Sequence, residues 1–284
     1  MTLPDLAIDD LAMTAARSRS LDPPARLLAL VAGFALAVGP AAGAVPGEAT
    51  TGAAVPSARP AVPGPADSQA PLAPLAPALR ARLQAAVAHY EAGRLAQAQR
   101  EFGALARRAV PVPAAQFNLG VMHLKGELPD ASTAEAERWL LLAARGGFVT
   151  AMFTLGQALE SGQLGRRDLG TAHDWYEQAA ERGSVEGMVA MGTAFYLGRG
   201  RARDAASAAR WYREAAKGGD IGAQYLIASM YESGEGVMQD LRLAHHWYRE
   251  AARQGDEAAP AKVKDLERRL AEEAPATPAP QVGS

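Results

Sequence analysis

Between residues 113 and 256 apolar, small and polar positions follow one order, and the order returns every 36 residues. The four tryptophans, Trp139, Trp175, Trp211 and Trp247, keep this step, and the residue after each is Leu140, Tyr176, Tyr212 or Tyr248. Ala136, Ala172, Ala208 and Ala244 keep it too, as do Gly126, Gly162, Gly198 and Gly234 and a second set, Gly147, Gly183, Gly219 and Gly255. A large, rare residue returning at a constant interval marks one supersecondary unit copied and stacked. Each unit holds two stretches with apolar residues at helical spacing. The first carries Ala115, Phe117, Leu119 and Gly120, then Ala151, Phe153, Leu155 and Gly156. In the later units these become Gly187, Val189, Met191 and Gly192, and Ala223, Tyr225, Ile227 and Ala228. The second carries Ala-x-x-Trp-(Leu/Tyr)-x-x-Ala-Ala and stops at glycine, which enters the left-handed turn of a helix end without strain. Ser132 and Glu135 read as a capping box, and Asp168, Asp204 and Asp240 as N-caps of the second helices. No unit can bury its apolar face alone. Stacking is expected to give each Trp a neighbour on both sides, each burial contributing ~3 kcal/mol.

The flanks read differently. Residues 78–112 predict one helical hairpin: Leu83, Val87 and Tyr90 form one stripe, Gly93 breaks it, and Leu95, Ala98, Phe102 and Leu105 form the next. Residues 257–273 predict a closing helix with Val263, Leu266 and Leu270 inside and Lys262, Lys264, Glu267, Arg268 and Arg269 exposed, a polar cap for the array. Residues 45–77 are rich in Ala and Pro and predict an extended tether, and the tail 274–284 predicts disorder. At the other end, the apolar run Leu27–Gly39 follows Arg17, Arg19 and Arg26 and precedes Pro40 and Ala41-Ala42-Gly43-Ala44. This describes a signal peptide over residues 1–44, cleaved after Ala44, and hence a periplasmic or secreted protein. The alternative is an inner-membrane anchor over residues 27–45, although the run falls short of the ~20 residues a spanning helix needs. Asp5, Asp9 and Asp10 are unusual in a signal peptide and leave Met13 as an alternative start.

The hairpin segment Gly93-x-Leu95-x-x-Ala98-x-x-x-Phe102-x-x-Leu105 resembles the second half of a tetratricopeptide repeat, departing at Leu105 where that family has Ala. The four 36-residue units resemble the related Sel1-like repeat family. The fourth matches best, through Ala223, Tyr225, Tyr231, Gly234, Gly236, Val237, Asp240, Ala244, Trp247, Tyr248, Ala251, Ala252 and Gly255. It departs at Ala228, where the family has Gly; the first unit departs at His123, Leu128 and Ser132. The resemblance implies an all-α, right-handed solenoid of helix hairpins, used as an adaptor for a protein or peptide partner. Exported members of this type resemble regulators of exopolysaccharide synthesis, envelope-stress adaptors and host-interaction factors. By the same resemblance the concave face is lined by Val121 and Leu124, Gln157 and Glu160, Thr193 and Tyr196, and Ser229 and Glu232. Unlike the Trp, Gly and Ala positions, these change chemistry from unit to unit.

Composition narrows the chemistry. The 284 residues hold 29 basic and 31 acidic side chains, a net charge of −2, which supplies no bulk attraction to nucleic acid or acidic membrane. The absence of cysteine removes disulfides, thiolate metal sites and a Cys nucleophile. There is no G-x-S-x-G, H-E-x-x-H or S-x-x-K pattern. His123 takes an aromatic's place and reads as a packing substitute. His173 and His245 share a repeat position with Glu137 and Ala209, which predicts a tolerant, exposed site. His245 and His246 point ~100° apart on a helix and cannot hold one metal together. Arg199, Arg201 and Arg203 read as a solvated basic turn. No catalytic set, cofactor or metal is expected. The alternative, a cell-wall or β-lactam-type hydrolase, follows only from Cys-rich relatives whose cysteine pairs this chain lacks.

Overall fold

The computed structural model describes residues 75–273; the expected signal segment, the Ala/Pro-rich stretch up to residue 74 and the tail from residue 274 lie outside the described residues. Eleven helices and no strand are present among the described residues. A leading hairpin comprises α1 (Pro77–Glu91) and α2 (Leu95–Ala106). The four units pair α3 (Pro113–Leu124) with α4 (Thr133–Arg145), α5 (Val149–Ser161) with α6 (Leu169–Glu181), α7 (Val185–Leu197) with α8 (Ala205–Lys217), and α9 (Ile221–Ser233) with α10 (Leu241–Arg253). α11 (Ala259–Glu273) follows. Each helix packs chiefly on its neighbours in sequence, the contact pattern of an α-solenoid. No helix among the described residues is long and apolar enough to cross a membrane.

The helix starts are set locally. Ser132 Oγ accepts from the Glu135 amide at 3.2 Å, and Asp168 Oδ1 from the Thr171 amide at 3.0 Å. Asp204 and Asp240 each accept two amides of the first turn. These bonds satisfy donors that the helix leaves unpaired. Only one arm of the expected Ser132 box is in place, because the Glu135 carboxylate turns to Arg138 at 3.0 Å. Beyond the second helices, Gly147, Gly183, Gly219 and Gly255 hold φ of 84°, 90°, 91° and 95°, a conformation that a side chain disfavours.

The two helices of a unit meet where the first has no side chain. A Cβ added to Gly156 would lie 2.5 Å from the Tyr176 ring, and one at Gly192 would lie 2.7 Å from Tyr212. At Gly120 the obstacle is Leu140 Cγ, also at 2.7 Å. The fourth unit has Ala228 and Tyr248 at these places, both fully buried. The ring is therefore laid against the backbone of the first helix, and most of its surface leaves water.

This arrangement corrects the expected tryptophan stack. The residue after each Trp is the deepest: Leu140, Tyr176, Tyr212 and Tyr248 are all at most 2% exposed. Trp139 and Trp175 are buried, but Trp211 and Trp247 are only partly so. Adjacent helix positions point ~100° apart, so Tyr and Trp cannot share a face. The Tyr turns to the first helix of its own unit, while the Trp turns to the preceding unit. Trp139 joins Leu83, Phe102 and Leu119, and Trp211 packs on the core of units 1 and 2.

The last unit is closed by α11. On α11, Leu266 is fully buried and Val263 packs on the core of the last two units. Lys262 and Arg269, expected to be exposed, instead pair with Glu232 at 2.9 and 3.1 Å. Asp256 starts this helix, accepting from the Ala258 and Ala259 amides.

Two outcomes test this account. Tyr212→Ala is expected to cost about 3–5 kcal/mol in urea unfolding, and Trp211→Ala distinctly less; the reverse order would restore the tryptophan-centred model. The second concerns Asp220, the cap of α9, which accepts from the Ala223 amide at 2.6 Å. Burial raises its carboxyl above the ordinary aspartate range against the pull of that amide, and Glu186 adds to the rise. Its contribution to stability is therefore complete below the ordinary aspartate value and declines as pH rises through the folded value. Asp220→Asn keeps an acceptor and removes the titration. Its melting temperature relative to the native chain should be higher at pH 7 than at pH 3, and a difference independent of pH would contradict the burial cause.

Candidate partner-binding surface

The units separate charge by layer. The first helices α3, α5, α7 and α9 carry only Glu160, Glu186 and Glu232 among Asp, Glu, Lys and Arg. The rest are shared between the second helices and the loops, α8 alone holding Arg210, Arg213, Glu214 and Lys217. The first-helix layer is thus built of apolar, hydroxyl and amide groups.

All eight residues carried over from the resemblance lie on this layer and are half-buried. They do not form one free surface. Val121 and Leu124, expected to stand apart from the core, pack against the cluster that holds Leu140, Leu155 and Tyr176. Glu160 accepts the Tyr176 hydroxyl at 2.8 Å and lies 3.5 Å from the Arg199 guanidinium. Glu232 accepts the Tyr248 hydroxyl at 3.0 Å besides its two cations from α11. Thr193 and Tyr212 share a hydrogen bond of 3.1 Å, and Ser229 bonds the Tyr248 hydroxyl. The Tyr196 hydroxyl donates to Glu235 at 3.1 Å, with the Arg203 guanidinium over its ring. Burial, followed by the neighbouring Glu160 or Glu232 carboxylate, pushes the Tyr176 and Tyr248 hydroxyls far above the usual tyrosine range. Burial brings Tyr212 to about 12. These phenols stay protonated and act as donors at any physiological pH.

A rule emerges for the last turn of the first helices, α3 with Leu124 excepted. Its outward residue reaches the loop of the next unit: Glu160 to Arg199, Tyr196 to Glu235, and in the leading hairpin Tyr90 to Glu127 at 3.0 Å. Glu232, which has no further unit, is met by α11. These are latches between units. Their partners lie in loops 37 or 39 residues further on, so no local pattern announces them.

Two other sequence expectations change. His173 is not at a tolerant exposed site: it is 2% exposed, with Arg201 Nε 3.4 Å from its Nδ1. Its repeat position is where the next unit's loop or helix comes to rest. Glu137 accepts from Arg166 at 2.8 Å, Ala209 is 1% exposed, and His245 meets Glu267 of α11 at 3.4 Å. Nor do Arg199, Arg201 and Arg203 form a solvated turn. Arg199 and Arg201 reach back to unit 2, and Arg203 reaches forward to Glu235. His123 is 7% exposed and does pack in the aromatic's place.

What stays uncommitted is narrow. On α5, Thr150, Thr154 and Gln157 follow one another at i, i+4 and i+7, which places them on one helix face. All are half-buried, and none has a side-chain partner among the described residues. Away from this face, Met238 in the last loop is 89% exposed, beside Leu243 at 40%.

A family model described as Sel1 repeat matches this chain four times in succession, at residues 113–148, 149–184, 185–220 and 221–256, together about half of its length. No curated protein matches it. Among solved structures, it is similar to c5321, a protective antigen present in uropathogenic Escherichia coli strains and displaying an SLR fold. The two are 30% identical with a TM-score of 0.59, over 69% of this chain and 46% of that one. It is likewise similar to a Sel1 repeat protein from Oxalobacter formigenes, at 30% identity and a TM-score of 0.54, over 60% of this chain and 49% of that one. The chain therefore spans about half the length of each of these structures.

The latches make a direct prediction. Glu232→Ala leaves the Tyr248 hydroxyl and two cations without their acceptor, and should lower the unfolding free energy by about 1–3 kcal/mol. Gln157→Ala should change it by less than about 0.5 kcal/mol. Urea titrations of the two variants decide the matter, and equal effects would remove Glu232 from the list of structural contacts.

Proposed function

The chain belongs to the Sel1 repeat family, whose members mediate protein–protein interactions, and from that premise we propose that it is a non-enzymatic adaptor of the cell envelope, holding a protein or peptide partner on its first-helix face. The observation that carries this reading is the layer separation of charge. Charged side chains lie on the second helices and in the loops, while the first-helix layer carries only three carboxylates and leaves Thr150, Thr154 and Gln157 with unused donors and acceptors. A glutamine amide offers a donor and an acceptor side by side, which suits the edge of a peptide unit. Of the eight residues expected to line the groove, Gln157 is the best placed for contact, since Glu160, Tyr196 and Glu232 are held by internal bonds.

The envelope part of the proposal rests on the Leu27–Gly39 run with its preceding arginines and following small residues. The similarity to c5321, described as a protective antigen, supports a protein that reaches the cell surface or its neighbourhood. Within that setting, the resemblance to exported family members supports a role in exopolysaccharide or envelope-stress regulation.

The test is crosslinking and affinity capture from intact cells with the native chain and a Thr154→Glu/Gln157→Glu variant whose melting curve is unchanged. A partner recovered by the native chain and lost by the variant is the expected result. A partner retained by the variant would move the site off this face, Met238 and Leu243 being the next surface to change. N-terminal sequencing of the mature protein checks export, with a start at Val45 expected and an intact residue 1 or 13 counting against it.

A further inference from the structure

We propose that the joint between units 2 and 3 is an acid-sensitive hinge, in which protonation of His173 releases the loop 198–204 from α6. The buried core divides within unit 3, just beyond this joint. One cluster runs from Ala136 to Met191 and another from Ala208 to Leu266, and Phe195 packs against both. The Arg201 guanidinium lies over the Phe195 ring at 4.6 Å from its centroid. The same arginine places Nε 3.4 Å from His173 Nδ1. Gly200 leaves no room between them: an added Cβ would sit 2.9 Å from His173 Cε1 and 2.7 Å from Leu169 Cβ. The imidazole is thus enclosed between α6 and the loop that carries unit 3.

Every charged group around it bears on the balance. The loop contributes Arg199 and Arg201, α5 contributes Glu160, and α6 itself contributes Asp174. Glu160 is already occupied by Arg199 and the Tyr176 hydroxyl. The Tyr176 ring lies 6.5 Å from the imidazole. A protonated His173 would therefore be a third cation in a closed space, and opening the loop relieves both its desolvation and its repulsion from Arg201. Burial, and after it Arg201, hold the imidazole below the ordinary histidine range against Glu160 and Asp174. The closed joint then binds fewer protons than the open one. The contribution of His173 is complete above the free value of ~6.5 and is lost as pH falls through that value towards the closed-state value.

The molecule contains its own control. At the matching joint of units 3 and 4 the position of His173 is taken by Ala209, which cannot titrate. The experiment is amide hydrogen exchange on the full chain at pH 7.5 and 5.5, corrected for the intrinsic pH dependence of exchange. Protection of loop 198–204 should fall by up to about tenfold per pH unit within the window, while loop 234–240 keeps its protection. His173→Gln should flatten the response of loop 198–204. Equal losses in the two loops, or an unchanged response in His173→Gln, would overturn the hinge. If that variant does not fold, the native imidazole can be titrated by NMR. A value clearly below 6.5, with the loop opening alongside, is expected; ordinary titration with the loop still closed would overturn the proposal. None of these readings requires the proposed partner.

Discussion

The close approach of a backbone to a flat side chain underlies the whole array. At Gly120, Gly156 and Gly192 the first helix presents bare Cα atoms, and Leu140, Tyr176 and Tyr212 lie against them with no space for a methyl group. Because these residues are buried almost completely, they fix the distance and rotation between the two helices of a unit. Everything outside inherits that geometry. The Trp one position earlier is carried round to the previous unit, and the ring tips of Tyr176 and Tyr248 are delivered to the end of the first helix, where Glu160 and Glu232 receive their hydroxyls.

A buried phenol needs a partner, and the units solve this in matched sets. Units 2 and 4 pair Tyr176 with Glu160 and Tyr248 with Glu232. In unit 3 the hydroxyl of Tyr212 is met by Thr193, which frees Tyr196 to reach Glu235. Unit 1 removes the need altogether, with Leu140 against Gly120 and Leu124 packed on the same core. The carboxylates so installed then attract cations from the following element, Arg199 in one case and Lys262 with Arg269 in the other. An intra-unit requirement thereby becomes a contact between units.

The loops show the same economy of means. Leu128 and Leu164 plug the core at one loop position, whereas Gly200 and Gly236 stand there in the later units. A side chain at Gly236 would collide with the Ala205 carbonyl, and one at Gly200 with Leu169. Plugged joints and closely apposed joints thus occur in one array. His173, enclosed by the Gly200 loop, gives one of the latter its sensitivity to protons.

The sequence by itself determined the period, the helical character of each unit and the starts of the second helices. Those depend on interactions at short, constant offsets: Asp168, Asp204 and Asp240 cap amides two or three residues away, and glycines end helices through their own φ. It also determined which residues repeat, but not which way they face. Trp and the following Tyr carry equal signal in the pattern, and only packing against the glycine track decides that Tyr is central and Trp lateral. The same holds for Glu160, Glu232 and His173. Variation from unit to unit suggested a free surface at the first two and a tolerant one at the third, yet their partners lie 16–39 residues away. Variation at a position where two elements meet records a partner that varies with it. Such a partner is brought into reach only when the units have stacked.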